Sequence, residues 1–409
     1  MKILYITQYF LPEICAPSNR AYANVKYFSE KGHKVVILTE MPNHPKGVIY
    51  KGYKNKIFIK EKLDSFDILR VWIYLAPRKN FITRLLFYTS FMFFGLLYAL
   101  LNWKNYDVIY VTSPPLFVGI IGIALKYAFP KTKFIFEVRD LWPDVAIAIN
   151  ELKSKLFIKF SKKLELLCYN LSDKIISVTN FFKQQIIIKG INSKKILVVR
   201  NGTDIKKWIR INNQIVKEKL DIRKNFIVLY AGNLGLAQGL ETILYSAKKL
   251  EDEKDIDFLL IGEGPEKTKL IEIAKELDLN NIMFLDEIPI NDISEYLSIA
   301  SCGIVPLKKT NVFSGTIPSK LFDYMACKLP ILLGVDGEAK SILERSGGGL
   351  YFEPENSNDL VGKIIWIKKH PKEGIDMGKE GRKFVEKYYN RKSQAEILER
   401  ELLELVEPI

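Results

Sequence analysis

Short apolar runs alternate with longer amphipathic stretches along the whole chain. Each run holds four to six residues, a length typical of a strand in the middle of a sheet. Strands of this kind, separated by helical stretches, predict parallel sheets covered on both faces. The runs are Ile3–Thr7, Val35–Thr39, Val108–Thr112, Phe134–Val138, Lys174–Val178, Ile196–Val199, Phe226–Ala231, Phe258–Ile261, Ile282–Leu285, Gly303–Pro306 and Ile331–Gly334.

The pattern predicts two domains. A chain of 409 residues is too long for one compact domain, and the alternation restarts after Arg200–Asp204. We therefore predict two doubly wound α/β domains at 1–204 and 205–390, with 391–409 as a helix that packs back toward the first domain. Ligands of such sheets bind at the carboxyl ends of the strands, and two facing domains would form a cleft there.

Residues 85–101 form a helical stretch without a single charge. Its length of roughly 25 Å is short of the ~30 Å hydrocarbon core, and strands predicted on both sides belong to one sheet, which argues against a membrane span. It is either a buried core helix or an interfacial anchor. Nearby cations favour the anchor, although they also suit a solvated helix face: Arg70, Arg78, Lys79, Arg84, Lys153, Lys155, Lys159, Lys162 and Lys163.

The charge balance narrows the class of partner. Formal net charge is +14 with a pI near 9.3, which favours nucleotide phosphates, nucleic acid or an anionic bilayer. Four scattered cysteines without a C-x-x-C pair argue against a disulfide framework or a zinc site and fit a reducing cytoplasm. Met1-Lys2 leads directly into the first strand, so we expect no signal peptide.

The segment Phe313–Val335 carries the clearest candidate chemistry. A loop passes into a short helix at Pro318–Lys320, and a helix N-terminus offers unpaired N–H groups and a positive dipole end to an anion. We expect Ser319 to act as N-cap or to donate its hydroxyl to a phosphate, with the charge of Lys320 beside it. Asp323, one turn later, could accept hydrogen bonds from both ribose hydroxyls of a nucleotide. An ordinary capped helix remains the alternative.

An ordered set of motifs runs through nearly the whole chain. They are Gln8–Glu13, Ala16–Arg20, Lys31–Val35, Met41–Gly47, Glu137–Asp144, Asn201–Asp204, Tyr230–Gly235, Gly262–Pro265 and Ile317–Ala326. In them the chain resembles retaining glycosyltransferases of the GT-B fold, family 4, in the bacterial polysaccharide branch that includes N-acetylfucosamine and colanic-acid transferases. The resemblance implies two Rossmann-like domains facing across a cleft, an N-terminal one on the acceptor side and a C-terminal one that binds a nucleotide sugar.

Some positions depart from the family pattern. The first of two glutamates usual in the family is Gly315 here, and the second is Asp323. The Arg and Lys that clamp the donor diphosphate in many members are replaced by the neutral Asn233 and Gln238. Lys328 stands where glycine is usual.

The chemistry implied by the resemblance needs donors or cations at a leaving diphosphate, and no side-chain nucleophile. We expect Lys320, Arg139, Arg200 and Arg20 to supply charge. The Gly232 amide and helix starts at Ser319 and near Asn19 would supply N–H groups. Asp140 is our candidate for an acid near the reacting sugar, or else a buried partner of Arg139. Glu263 would bound the nucleoside, or serve as a turn residue. The predicted acceptor-side residues are Pro17, Ser18, Asn19 and Arg20.

No metal or cofactor is expected. The one D-x-D, at Asp255 and Asp257, starts a predicted strand within an acidic surface run. A metal site would need a pair of carboxylates in a loop of the cleft, and the start of a strand is not such a loop. We therefore predict metal-independent transfer with a UDP-sugar as substrate.

The predicted function is the transfer of an N-acetylated aminosugar from a UDP-sugar to a polyprenyl-diphosphate-linked acceptor. This reaction would belong to the biosynthesis of a surface polysaccharide, either the O-antigen of lipopolysaccharide or a capsule. The protein would be peripheral or monotopic on the inner face of the cell membrane. A UDP-sugar 2-epimerase and a transferase with a soluble acceptor are the alternatives. No G-x-G-x-x-G follows Ile3–Thr7, which disfavours a dehydrogenase, and no aromatic-basic module indicates nucleic-acid binding.

Overall fold

The computed structural model describes residues 1–13, 15–44, 47–75, 81–148, 150–210, 214–220, 222, 224–289, 292–311 and 313–407. The chain divides into two units. The first unit comprises Met1–Asn201 with Arg391–Ile409, and the second comprises Gly202–Asn390. The division predicted at 204–205 therefore lies at 201–202.

Strands and helices alternate through most of both units. The strands of the first unit are β1 (Lys2–Ile6), β2 (Lys34–Glu40), β3 (Phe58–Leu63), β4 (Phe66–Val71), β5 (Val108–Ser113), β6 (Lys133–Val138), β7 (Lys174–Ser177) and β8 (Ile196–Val198). Those of the second are β9 (Phe226–Ala231), β10 (Ile256–Ile261), β11 (Ile282–Leu285), β12 (Cys302–Pro306), β13 (Ile331–Gly334) and β14 (Gly349–Tyr351).

The helices cover the faces of these sheets. The first unit has α1 (Ala16–Glu30), α2 (Phe81–Leu101), α3 (Val118–Ala128), α4 (Asp144–Ala148), α5 (Lys155–Leu171) and α6 (Asn180–Ile188). The second has α7 (Gln214–Lys219), α8 (Glu241–Lys249), α9 (Lys267–Glu276), α10 (Ile293–Ile299), α11 (Ser319–Ala326), α12 (Glu338–Ser346), α13 (Ser357–Lys369) and α14 (Pro371–Tyr388). The last helix, α15 (Arg391–Val406), belongs to the first unit.

The first unit is built on an eight-stranded sheet in the order β3-β4-β2-β1-β5-β6-β7-β8. Alternate residues of β1 enter different cores because successive side chains of a strand point to opposite faces. Ile3 and Tyr5 pack with α1 and α15, whereas Leu4 and Ile6 pack with the layer of α2, α3 and α5. Both faces are therefore covered, as the apolar runs predict.

One edge of this sheet departs from the prediction of purely parallel strands. β3 and β4 form an antiparallel hairpin, with Leu63 opposite Phe66 across a turn at Asp64. β4 then pairs parallel with β2. Residues of β3 alternate between exposed and half-buried positions, so this strand lacks the continuous apolar run of a central strand.

The second unit has a six-stranded parallel sheet in the order β11-β10-β9-β12-β13-β14. This is the doubly wound order in which the strand sequence reverses between two neighbours, here β9 and β12. The carboxyl ends of strands at such a reversal form the usual ligand-binding crevice. In the first unit the corresponding reversal lies between β1 and β5.

Candidate active site

Helix α11 follows β12 and begins at the predicted position, but its first turn differs from the prediction. Pro318 occupies the N-cap position with an extended backbone, and Ser319 is the first helical residue rather than the cap. The prediction of Ser319 as N-cap is therefore wrong, and its hydroxyl as a phosphate ligand stays a prediction. Gly315, which replaces the family glutamate, is buried in a 3-10 turn just before this helix.

Lys320 directs its ammonium back over the end of β9. Its Nζ lies 3.6 Å from the centroid of the Tyr230 ring and 3.0 Å from the position that a Cβ would take on Gly232. Nζ is buried and has no hydrogen-bond partner in the described part of the chain. Burial lowers the pKa of Lys320 from 10.5 to about 7, and the Asp323 carboxylate opposes this shift only in part. An ammonium in this state is suited to receive an anion.

The loop after β9 is held by two tyrosines. The Tyr324 hydroxyl accepts the Ala231 N–H at 2.7 Å, and the Tyr230 hydroxyl donates to the Asn233 carbonyl at 2.6 Å. Gly232 has a φ of +143°, and its amide donates to the Ile261 carbonyl at 2.9 Å. The predicted use of that amide for a leaving phosphate is therefore wrong. The missing side chain of Gly232 instead leaves room for Lys320.

The two neutral replacements, Asn233 and Gln238, lie together in this loop. A Cβ on Gly235 would be 2.6 Å from Asn233 Nδ2 and 3.0 Å from Gln238 Oε1, so both amides converge there. Gln238 Oε1 is buried without a partner among the described residues. Glu263 is paired with Lys267 at 2.7 Å, which is compatible with a turn residue. Its nucleoside contact stays a prediction.

Asp323 lies on α11 one turn after Ser319. Its Oδ1 accepts a hydrogen bond of 2.6 Å from the Thr203 hydroxyl. The carboxylate is half-buried and close enough to Lys320 to influence the pKa of the lysine. Helix α11 thus presents a cation and a carboxylate from one short element, as the sequence predicts.

In the first unit, Arg139 and Asp140 directly follow β6. The Arg139 amide donates to the Ser113 carbonyl at 2.9 Å, and its Nη2 donates to the Pro114 carbonyl at 2.8 Å. Burial raises the pKa of Asp140 to about 6, an effect that Arg139 opposes. Both residues therefore lie at the carboxyl edge of the sheet, and their catalytic roles stay predictions.

Arg20 is a structural cation. Its Nε and Nη2 pair with Glu137 Oε1 at 2.9 and 2.8 Å, and its remaining N–H groups reach the carbonyls of Val199 and Arg200 and the side chain of Asn201. Burial alone would raise the pKa of Glu137, but Arg20 brings it below its usual range. Every donor of Arg20 is engaged inside this unit, which leaves none for a phosphate in this conformation; its place on the acceptor side stays a prediction.

The other acceptor-side candidates form the first turn of α1. The helix begins at Ala16 with Pro17 in its first turn, and the Asn19 amide donates to the Cys15 carbonyl at 2.9 Å. The predicted helix start near Asn19 is therefore confirmed at Ala16, although the Asn19 amide itself is already engaged within the helix. Ser18 is fully buried. Acceptor contacts by Pro17, Ser18 and Asn19 stay predictions.

Two further predictions concern charges. Arg200 belongs to the first unit, where its amide donates to Gln394 at 3.0 Å, and its donor contact stays a prediction. Asp255 pairs with Lys368 at 2.6 Å, whereas Asp257 pairs with Lys224 at 2.8 Å. These carboxylates therefore hold separate lysines at the amino end of β10. Within the described ranges, no group of three or more His, Cys, Asp or Glu residues could hold a metal ion.

Sequence reasoning missed three contacts of the second unit. Tyr230 lies under the Lys320 ammonium, and Thr203 bridges Trp208 and Asp323. Tyr230 is the next-to-last residue of β9 and lies two residues before a glycine, which is a signal for a ring at the crevice. Thr203 sits in a motif that carried the resemblance, but its partner is 120 residues away and no local pattern reveals it.

Helix α2 has two different faces. Phe91, Tyr98 and Ala99 are buried against the sheet. The opposite face exposes Ile82, Leu86, Phe93, Leu97, Leu100 and Leu101. By length and composition, Ile82–Leu101 is the one helix in the described ranges that could cross a membrane, and 22% of its 18-residue apolar window is buried. Strands β4 and β5 on either side belong to one sheet, which is incompatible with a crossing.

The basic residues near α2 differ in their surroundings. Arg70 is buried and pairs with Glu61, and Arg84 pairs with Glu151 at 2.9 Å, so neither serves as the predicted free membrane cation. Arg78 and Lys79 lie outside the described residues. The lysines of α5 and the turn before it are all exposed, among the exposed apolar residues Leu156, Phe160 and Leu167. They are Lys153, Lys155, Lys159, Lys162 and Lys163.

Comparison with known proteins agrees with this architecture. Residues 18–207 match the model for Glycosyltransferase Family 4, and residues 212–384 match that for Glycosyl transferases group 1. The chain is 24% identical over 386 residues to the protein named colanic acid biosynthesis glycosyl transferase WcaI in Escherichia coli K12, covering 90% of this chain and 93% of the relative.

Solved structures match over the full length. HepE of Anabaena, crystallised with UDP and glucose, has a TM-score of 0.74 at 14% identity, covering 98% of this chain and 99% of HepE. Sucrose-phosphate synthase of Thermosynechococcus elongatus has a TM-score of 0.74 at 18% identity, covering 99% and 98%. The predicted GT-B fold is confirmed. The chain belongs to the glycosyltransferases that join a family 4 domain to a group 1 domain.

Proposed function

We propose that this protein is a retaining glycosyltransferase that moves a sugar, an N-acetylated aminosugar, from a UDP-sugar to a polyprenyl-diphosphate-linked acceptor in surface polysaccharide biosynthesis. The observation that carries the proposal is the Lys320 ammonium. It is buried and lacks a hydrogen-bond partner in the described chain, at the carboxyl end of β9 where the strand order reverses. Asp323 follows one turn later on the same helix.

The donor diphosphate is the natural partner of Lys320. A buried ammonium without a counter-ion costs several kcal/mol, and an anion that binds beside it offsets this cost. The doubly wound reversal at β9 and β12 is a usual place for such a ligand. Asn233 and Gln238 add neutral amides in the same loop. HepE, a relative in fold, is described with UDP and glucose, which supports a uridine nucleotide here.

Asp323 is the proposed acceptor of hydrogen bonds from the ribose hydroxyls. A carboxylate next to a phosphate-binding cation fits the two ends of a nucleoside diphosphate. At pH 7 the Asp140 carboxyl, whose pKa burial raises to about 6, is mostly ionised. It would balance the positive charge that develops on the transferred sugar. Asp140→Asn should therefore lower kcat by roughly tenfold or more and leave UDP affinity unchanged.

The acceptor proposal rests on the first unit. The exposed apolar face of α2, together with the exposed lysines of α5, suits an anionic bilayer, with apolar side chains in the headgroup boundary and ammonium groups at the phosphates. Each lysine near the surface contributes about 1 kcal/mol. A protein docked by this surface on the cytoplasmic leaflet would meet the anionic head of a polyprenyl diphosphate.

We further propose that transfer needs no divalent metal. Asp255 and Asp257 are each paired with a different lysine at the amino end of their strand. Activity should therefore persist in EDTA. Complete loss that Mg²⁺ or Mn²⁺ restores would contradict this part of the proposal.

The test is a panel of UDP-sugars, including UDP-N-acetylglucosamine and UDP-glucose, incubated with a polyprenyl-diphosphate-linked sugar in vesicles. UDP release and the mass of the lipid product report transfer. We expect transfer from a UDP-N-acetyl sugar and its loss in Lys320→Met. Lys387→Met, which removes another lysine stacked on a tyrosine of the second unit, is the matched control and should stay active.

The alternatives give different products in the same assay. A 2-epimerase would convert the UDP-sugar without net transfer to any acceptor. A transferase with a soluble acceptor would release UDP only when that acceptor replaces the lipid. Transfer without retention of the anomeric configuration would refute the retaining mechanism.

A further inference from the structure

A buried threonine connects the proposed ribose carboxylate to the start of the second unit. The Thr203 hydroxyl donates to Asp323 Oδ1 at 2.6 Å and accepts the Trp208 indole N–H, also at 2.6 Å. Thr203 has no exposed surface. The three side chains are therefore joined by consecutive hydrogen bonds from Trp208 through Thr203 to the Asp323 carboxylate.

The direction of this chain is fixed by its first member. An indole N–H can only donate a hydrogen bond. The Thr203 oxygen therefore accepts the hydrogen bond from Trp208, and its own O–H must donate to Asp323. The backbone is fixed as well, because the Thr203 amide donates to the Tyr389 carbonyl at 2.9 Å and the residue forms a parallel bridge with Asn390. The hydroxyl therefore has one position and one orientation.

We propose that Thr203 is a positioning residue for ribose recognition, holding the Asp323 carboxylate in the rotamer that accepts the hydroxyls of a nucleotide ribose. This inference rests on the proposed function, in which Asp323 binds the ribose. A hydrogen bond donated by the hydroxyl fixes the direction of the carboxylate oxygen atoms. Valine has nearly the shape of threonine but no hydroxyl to donate, whereas serine retains the hydroxyl.

The effect of Thr203 should be limited to the ribose. Lys320, the proposed diphosphate ligand, lies against Tyr230 and Gly232 rather than Thr203. If Asp323 loses its orientation, the affinity for a nucleotide with ribose hydroxyls should therefore fall, and the affinity for a nucleotide without them should stay the same. A general loss of stability would lower the affinity for both.

Calorimetry of the full-length protein with UDP and with 2′,3′-dideoxy-UDP separates these cases. We expect the wild type to prefer UDP. Thr203→Val should reduce that preference about tenfold, the effect of a lost hydrogen bond to a charged group, and leave the affinity for the dideoxy nucleotide unchanged. Thr203→Ser should retain the preference, and Asp323→Asn should abolish it.

The outcomes distinguish the two proposals. If the wild type binds both nucleotides equally, the ribose role of Asp323 fails and the role of Thr203 fails with it. If Asp323→Asn abolishes the preference while Thr203→Val retains it, the proposed function stands and the positioning role is overturned. If Thr203→Val does not fold, Trp208→Phe, which frees the hydroxyl to turn, should show a smaller loss of preference. An unchanged preference in that variant would also overturn the role.

Discussion

Two buried cations, one in each unit, occupy similar places near the first turn of a helix. All guanidinium N–H groups of Arg20 on α1 are hydrogen-bonded. They donate to the Glu137 carboxylate, to two backbone carbonyls and to the side-chain oxygen of Asn201. Lys320 on α11 lies over the Tyr230 ring, and its ammonium has no hydrogen-bond partner in the described chain. The sequence presents both as cations near a helix start.

The difference separates a charge that supports the fold from one that, in the proposed function, binds an anionic ligand. A buried charge is tolerated when its partners replace the lost water. Arg20 meets that condition within its own unit. Lys320 does not, and its lowered pKa reflects the missing partner. A complete set of partners therefore indicates structure, and an incomplete one indicates binding.

Replacing Arg20 should have the largest effect, and on stability. Arg20→Met leaves Glu137 buried without its counter-ion, which costs about 3–5 kcal/mol. Urea unfolding measures the loss. UDP affinity of the folded fraction should stay unchanged because the hydrogen-bond partners of Arg20 among the described residues belong to the first unit. The double variant Arg20→Met/Glu137→Leu should recover part of the stability, and a double variant as unstable as the single one would argue against the ion pair as the cause.

Replacing Lys320 should give the reverse result. Lys320→Met removes the charge that we propose stabilises the leaving diphosphate, and turnover should then fall on the order of 10²-fold or more. The free energy of unfolding at pH 7 should not fall, because no hydrogen bond is lost. Wild-type turnover in this variant would end the assignment. A large loss of stability would place Lys320 in the same class as Arg20.

The pH dependence of UDP binding sharpens the contrast. Binding needs the protonated ammonium, whose pKa is about 7 without ligand. Affinity should therefore fall by up to tenfold per pH unit as pH rises above 7, and binding at pH 8 should take up a proton, visible as a buffer-dependent heat. The free energy of unfolding changes in the opposite direction. In the unfolded chain the lysine has a pKa of 10.5, so between pH 7 and 10.5 the unfolded state binds more protons than the folded state. The folded state therefore gains stability as the pH rises through this range. Lys320→Met should lack both trends.

Features that depend on residues close together in the sequence were predicted correctly, and those that depend on distant partners were not. β9, β11 and β13 have the predicted bounds because each is a continuous apolar run between turn residues. The β3–β4 hairpin was missed: the alternation of exposed and half-buried residues in β3 resembles a loop, although five of the six residues of β4 are buried. Arg20 could not be told from Lys320, since its partner Glu137 lies 117 residues away. Pairing over such distances leaves no periodic signal.

The surface of α2 tests the acceptor side. Phe93 and Leu97 are exposed on α2, whereas Phe91 belongs to the core. Phe93→Ser with Leu97→Ser should reduce binding to anionic vesicles at least tenfold, because each side chain contributes about 1.5–3 kcal/mol when buried. Ile375→Ser, an exposed apolar position of the second unit, is the control and should not change binding. If the wild type does not bind vesicles at low salt, a soluble acceptor is favoured.

The smallest expected effect concerns the ends of the same two helices. Lys328 follows α11 with a φ of +56°, while Lys31 follows α1 with a φ of −85°. Both are exposed lysines beyond a helix end, but only Lys328 holds the left-handed conformation, which costs a non-glycine residue about 1–2 kcal/mol. Across this turn the Leu329 amide donates to the Tyr324 carbonyl at 3.0 Å. This helix-ending hydrogen bond requires the left-handed conformation at Lys328.

Lys328→Gly should therefore stabilise the protein by about 0.5–1 kcal/mol, because the relief of strain exceeds the greater chain entropy of glycine in the unfolded state. Lys31→Gly has no strain to relieve and should destabilise it by a similar amount. Urea unfolding of both variants, at the same pH and salt, measures the difference between the two helix ends. Effects of the same sign would mean that φ does not set the preference at Lys328. An increase for Lys328→Gly alone would explain why the family usually has glycine at this position.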